Sequence, residues 1–83
     1  MSIGLQVENL PGDAREDTLV DLLAGYGKVR VLRLVRSGVA LTAVSRGVVA
    51  MGDGTDAARA AQALNGRYYR GRLLQVERVQ VDS

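Results

Sequence analysis

The chain has 83 residues, with 11 Lys+Arg against 9 Asp+Glu for a net charge of +2, and it holds neither cysteine nor histidine. That size suits one domain over residues 1–83 with a single small core. The missing residue types exclude disulfides, thiol chemistry, imidazole acid–base catalysis and the usual zinc sites. Every basic residue except Lys28 is arginine, a bias compatible with phosphate binding without demanding it. No apolar run is long enough to span a bilayer. The start, Met1-Ser2-Ile3-Gly4, lacks the basic and apolar blocks of a signal peptide. The expected location is intracellular, cytoplasmic or nuclear.

Ile3 to Leu10 reads as a strand, because Ile3, Leu5 and Val7 alternate with Gly4, Gln6 and Glu8. Asn9-Leu10-Pro11-Gly12-Asp13 ends it with turn chemistry. A helix is expected from about Arg15 or Glu16 to Ala24, with Leu19, Leu22, Leu23 and then Tyr26 on one face. Glu16 and Asp17 suit its positive end, whereas Arg15 is a poor cap. Gly25 and Gly27 stop it. The second strand is Val29 to Val35, with Val29, Leu32 and Leu34 expected inward; the slip in phase predicts a bulge near Arg30 and Val31. Arg36 to Arg46 is expected to be a loop or long hairpin. It is unusually apolar, with Val39, Ala40, Leu41, Ala43 and Val44 among Ser37, Gly38 and Thr42.

Gly47 to Met51 is the third strand, and Gly52-Asp53-Gly54 turns the chain into a helix for which Thr55 is the expected cap. Ala57, Ala60, Ala61 and Leu64 form its buried stripe, so the helix must lie close to the sheet. Asn65-Gly66 ends it. A basic connection with Tyr68 and Tyr69 leads to a last strand from Leu73 to about Val81. The order βαββαβ implies an α+β, ferredoxin-like sandwich: a four-stranded antiparallel sheet with two helices on one face.

Several stretches in register carry a resemblance to one family. Asn9-Leu10-Pro11 stands at the exit of the first strand, Tyr26-Gly27 after the first helix, and Ser45-Arg46-Gly47 before the third strand. Ala63-Leu64-Asn65-Gly66 closes the second helix, and Gly71-Arg72-Leu73-Leu74-Gln75-Val76-Glu77 opens the last strand. From Gly4 to about Val79 the chain resembles an RNA recognition motif, or RRM. The resemblance implies a module that binds single-stranded RNA on its sheet.

The departures from the family bear on function. Its longer ribonucleoprotein motif runs basic–Gly–aromatic–small–aromatic–aliphatic, and here it reads Arg46-Gly47-Val48-Val49-Ala50-Met51. Val48 and Ala50 therefore occupy the two outward aromatic positions. Gln6 occupies the outward aromatic position of the shorter motif on the first strand. The chain is also about two residues short between Met51 and Thr55, which removes the aromatic that ends the longer motif, and it contains no Phe or Trp. Each base stacked on an aromatic is worth about 1–3 kcal/mol, so losing two or three platforms removes about 2–9 kcal/mol. Micromolar affinity corresponds to only about 8 kcal/mol. Weak RNA binding led by arginine is expected, because guanidinium planes stack on bases and fork onto phosphates.

The expected RNA-binding residues are Gln6, Arg33, Arg46, Val48, Ala50, Tyr68, Arg70 and Gln75, with Arg30, Arg36, Arg67, Arg72 and Arg78 on margins and loops and Asn9 as a further base-edge donor. Tyr69 and Tyr26 read as core. The alternative is a protein-interaction or homodimerisation RRM that uses an aliphatic sheet face or the apolar 39–44 loop. Its candidates are Val39, Leu41, Val44, Val79 and Val81. No metal site, cofactor or enzymatic activity is expected. Gly52-Asp53-Gly54 lacks the spacing and lysine of a phosphate loop, and Asp53 and Asp56 read as helix-start residues.

Overall fold

Apolar alternation along the strands and a 3.6-residue stripe along each helix are all the core needs. The computed structural model describes residues 2–81, apart from the side chains of Ser2 and Ala40. In chain order it contains β1 (Ser2–Pro11), α1 (Glu16–Leu23), β2 (Val29–Ser37), β3 (Val44–Met51), α2 (Gly54–Leu64), β4 (Tyr68–Tyr69), β5 (Arg72–Leu73) and β6 (Gln75–Val81). The main sheet is antiparallel in the order β2-β3-β1-β6, and β4 and β5 form a separate two-stranded ribbon.

One phase of the sheet builds the core. Leu5, Val7, Val49, Met51 and Val76 are buried with Leu19 and Leu23 of α1 and with Ala57, Ala60 and Leu64 of α2. Both helices therefore cover the same face, and the other face is left open. Burying one such leucine side chain contributes about 1.5–3 kcal/mol. The helices approach closely because the contact residues are small. A Cβ on Gly47 would lie 2.5 Å from Leu19 Cδ1, so α1 rests on bare backbone at that point.

Four local readings change. β2 and β3 reach further than expected, which shortens the loop between them to residues 38–43. The β2 bulge lies between Val31 and Arg33. Val31 therefore turns inward against Val49, while Leu32, expected inward, is the exposed extra residue. α2 is capped by Asp53, whose carboxylate accepts from the Thr55 N–H at 2.7 Å; Thr55 supplies only that N–H. At α1 the expectation holds: Arg15 is a poor cap, because its guanidinium has no acceptor to offer. The Thr18 hydroxyl instead accepts from the Arg15 N–H at 3.1 Å. Finally, the last strand is broken at Leu74. Its N–H donates to the Arg67 carbonyl and its carbonyl accepts from the Gly66 N–H, both at 2.9 Å. Its backbone groups are spent on the exit of α2 while its side chain stays in the core.

Candidate nucleic-acid interface

The phase opposite the core places side chains on the open face, and the strand pairing arranges them in three rows. Across β2, β3, β1 and β6, the first row is Arg30, Ala50, Gly4 and Val79. The second is Arg33, Val48, Gln6 and Glu77. The third is Val35, Arg46, Glu8 and Gln75, with the β1 bulge between Val7 and Leu10 beside it.

Six of the eight residues expected to bind RNA meet on this face. Gln6, Arg33, Arg46 and Val48 line a depression of about 210 Å³ with Val35. Arg46 and Gln75 line a larger one of about 530 Å³ with Glu8, Asn9, Ser37, Val44 and Ser45. Gln6 and Gln75 share a third with Glu8 and Glu77, about 250 Å³. Arg46 thus stands between the first two, and Ala50 lies one row away. Among the described residues the ion pairs are Arg59 with Asp56 and Arg70 with Asp13, so Arg30, Arg33 and Arg46 are left without a carboxylate partner.

Tyr68 and Arg70 lie elsewhere. Tyr68 is 72% exposed but does not lie on the open face of the sheet. It lines a depression on the helix side with Asp21, Leu22, Leu64 and Arg67. The reason is the hairpin that carries it. Arg70 and Gly71 both have positive φ, 51° and 79°, and this two-residue turn folds β4 and β5 back as a ribbon of their own. Arg70 is taken up locally, its guanidinium 5.3 Å from the Tyr69 ring centre and 3.8 Å from the Asp13 carboxylate. Tyr69 itself packs against the core.

Asn9 and Arg72 also turn out to be structural. Asn9 occupies the left-handed region at φ 66° in the β1 bulge. Its amide donates to the Leu73 carbonyl at 2.8 Å, and Arg72 donates to both its backbone and side-chain oxygens at 3.2 and 2.9 Å. This clamp ties the ribbon to β1. Arg36 pairs with Ser45 and Arg78 with Leu5 in the other phase, so neither belongs to the open face.

The arginine reading missed the two acids. Glu8 and Glu77 sit on the β1–β6 half, and Glu8 accepts a 2.8 Å hydrogen bond from the Gln6 amide. The face is electrically divided, with Arg30, Arg33 and Arg46 on one half and Glu8 and Glu77 on the other. The signal was available, since Glu8 alternates with Val7 and falls in phase with Gln6.

Of the apolar candidates, Leu41 is 99% exposed and Val39 76%, at the tip of the loop between β2 and β3. Val44 is half-buried in the larger depression. Val79 and Val81 do emerge on the open face. Val81, however, is only 8% exposed, because it folds over the bare backbone of Gly4, where a Cβ would lie 2.9 Å from Val81 Cγ1.

The family model described as "RNA recognition motif" matches residues 5–75. The chain belongs to the RRM family. It is accordingly a nucleic-acid-binding module rather than an enzyme. The crystal structure of RNA binding protein PG1 is 32% identical, with 99% of each chain covered and a TM-score of 0.74. Two more distant structures share the fold. The RRM of S. pombe Puf1 is 21% identical over 99% of this chain and 94% of that one, with a TM-score of 0.73. The RRM of Rna15 with bound RNA (GU) is 24% identical over 89% and 79%, with a TM-score of 0.67. No curated protein sequence matches the chain. Its open face carries Gln6, Val48 and Ala50 in place of any aromatic side chain among the described residues. No helix among the described residues is long and apolar enough to cross a membrane.

Proposed function

We propose that this RRM binds single-stranded RNA weakly across its open face, with arginine replacing the missing aromatic platforms. The observation that carries the reading is the position of Arg46. It stands between two depressions, one lined also by Arg33 and the other by Gln75, and its charge has no partner among the described residues. Arg33 and Arg46 stack on bases or fork onto phosphates, and Gln6 and Gln75 hydrogen-bond to base edges. Glu8 and Glu77 repel phosphate, which keeps the backbone of the RNA over β2 and β3. RNA binding by the similar PG1 protein and the RNA held by the Rna15 RRM support the same ligand class. An RNA ligand also fits an intracellular location.

Fluorescence anisotropy with a labelled single-stranded RNA tests this. With two phosphate contacts, affinity should fall about sevenfold between roughly 50 and 200 mM salt. The double substitution Arg33→Ala/Arg46→Ala should lower affinity about tenfold and flatten the salt dependence. Affinity that ignores both salt and the substitutions would overturn the reading.

The bare tip of the β2–β3 loop favours a second reading, contact with a protein. A leucine 99% exposed beside a valine 76% exposed is apolar surface with no use inside the fold. Val39→Ser/Leu41→Ser would abolish such a contact and leave RNA affinity unchanged.

A further inference from the structure

The divided charge of the open face is complementary to itself. Consider a two-fold axis parallel to the strands, above the face and midway between β1 and β3. It lays β2 of one copy over β6 of the other and β3 over β1, and it maps each row onto itself. In the second row Arg33 then meets the partner's Glu77, and Val48 meets the partner's Gln6. In the third row Arg46 meets the partner's Glu8. The first row sets Ala50 against the partner's Gly4, which Val81 covers, and Arg30 against the partner's Val79. Every charge match occurs twice. An axis across the strands would instead set arginine against arginine.

From this register we infer that two copies of the chain pack face to face about that axis, closed by four ion pairs of the types Arg33–Glu77 and Arg46–Glu8. The side chains suit the gap, since facing sheets lie about 10 Å apart and an arginine and a glutamate together reach across it. The apolar loop gains a role as well. The same axis carries Val39 and Leu41 of one copy over the end of the groove that the partner's Asn9 and Gln75 line. The face is small, four strands wide and three rows long, about 400 Å² per copy. That lies at the low end of interface sizes, so the association is weak and sensitive to salt. It also covers Arg33 and Arg46, so a second copy and RNA exclude one another; that last point alone rests on the proposed RNA reading.

Sedimentation equilibrium without RNA, at low salt and up to about 1 mM protein, reads the association. Wild type should dimerise. Arg33→Glu sets like charges against the partner's Glu77, and Glu77→Arg does the same with the partner's Arg33. Each should weaken association about tenfold or more, and the double swap should restore it. Both positions are exposed, and circular dichroism of each variant checks that it is folded. A wild type that stays monomeric, single swaps without effect, or a double swap that fails to restore the dimer would each overturn the inference. None of those results touches the RNA reading, because no RNA is present. In a second arm, single-stranded RNA added to the wild-type dimer should dissociate it. A dimer that binds RNA and stays intact would overturn the exclusion while leaving the dimer.

Discussion

Asn9 shows how much a single residue does here that a strand pattern does not announce. It takes a left-handed backbone at the β1 bulge and binds the ribbon through Leu73 and Arg72. Alanine at this position would suffer the left-handed strain, about 1–2 kcal/mol, and lose hydrogen bonds worth about 1 kcal/mol each. Asn9→Ala should therefore destabilise the fold by about 3–4 kcal/mol in urea denaturation, and Asn9→Gly should recover the backbone part. The turn around Asn9-Leu10-Pro11 was legible, but its clamp was not, because Leu73 lies 64 positions along the chain. The vacant platforms admit the opposite kind of test. Val48 faces out beside Gln6 and Arg33, so Val48→Tyr restores a stacking surface where the family has one. RNA affinity should rise by about 1–3 kcal/mol, roughly 5- to 150-fold by titration. An unchanged affinity would show that bases do not lie on β3.

Among the elements, those with a strong period were the most legible. The alanine stripe of α2 and the alternation of β1 lie in the core as expected, since their spacing leaves each side chain one place to go. β2 was harder, because a bulge resets the phase and sequence does not mark which residue is extra. The break at Leu74 was hidden for another reason. It is a matter of backbone hydrogen bonds to Gly66 and Arg67, which side-chain pattern does not report. The contact of α1 with β3 has a sharp consequence. Gly47→Ala places a methyl 2.5 Å from Leu19 Cδ1 and should cost about 1–3 kcal/mol of stability in thermal unfolding. The loop between β2 and β3 behaves oppositely. Leu41→Ser removes no internal contact, so stability should stay within about 0.5 kcal/mol of wild type in the same experiment.

At the scale of the whole molecule, the fold was readable and the chemistry of its working surface only half so. The order of elements and the family anchors led to the RRM fold, and the family match over residues 5–75 bears that out. Counting arginines along the chain gave a basic surface. The structure keeps Arg36, Arg67, Arg72 and Arg78 off the open face, takes Arg70 away from it, and brings Arg30, Glu8 and Glu77 onto it. A net charge of +2 conceals that division, because charge on a sheet is sorted by phase and pairing partner rather than by composition. The face that remains has one basic half, a few hydrogen-bonding amides and no aromatic ring, which suits a low-affinity, salt-dependent ligand.

The most direct measurement of RNA binding at that face is a backbone-amide NMR titration with a short single-stranded RNA of mixed sequence, at low salt and again after salt is added. Signals of Gln6, Arg33, Arg46, Val48 and Gln75 should move together and return as salt rises. Signals that stay fixed in excess RNA, or that move only around Arg67 and Tyr68 on the helix side, would contradict it.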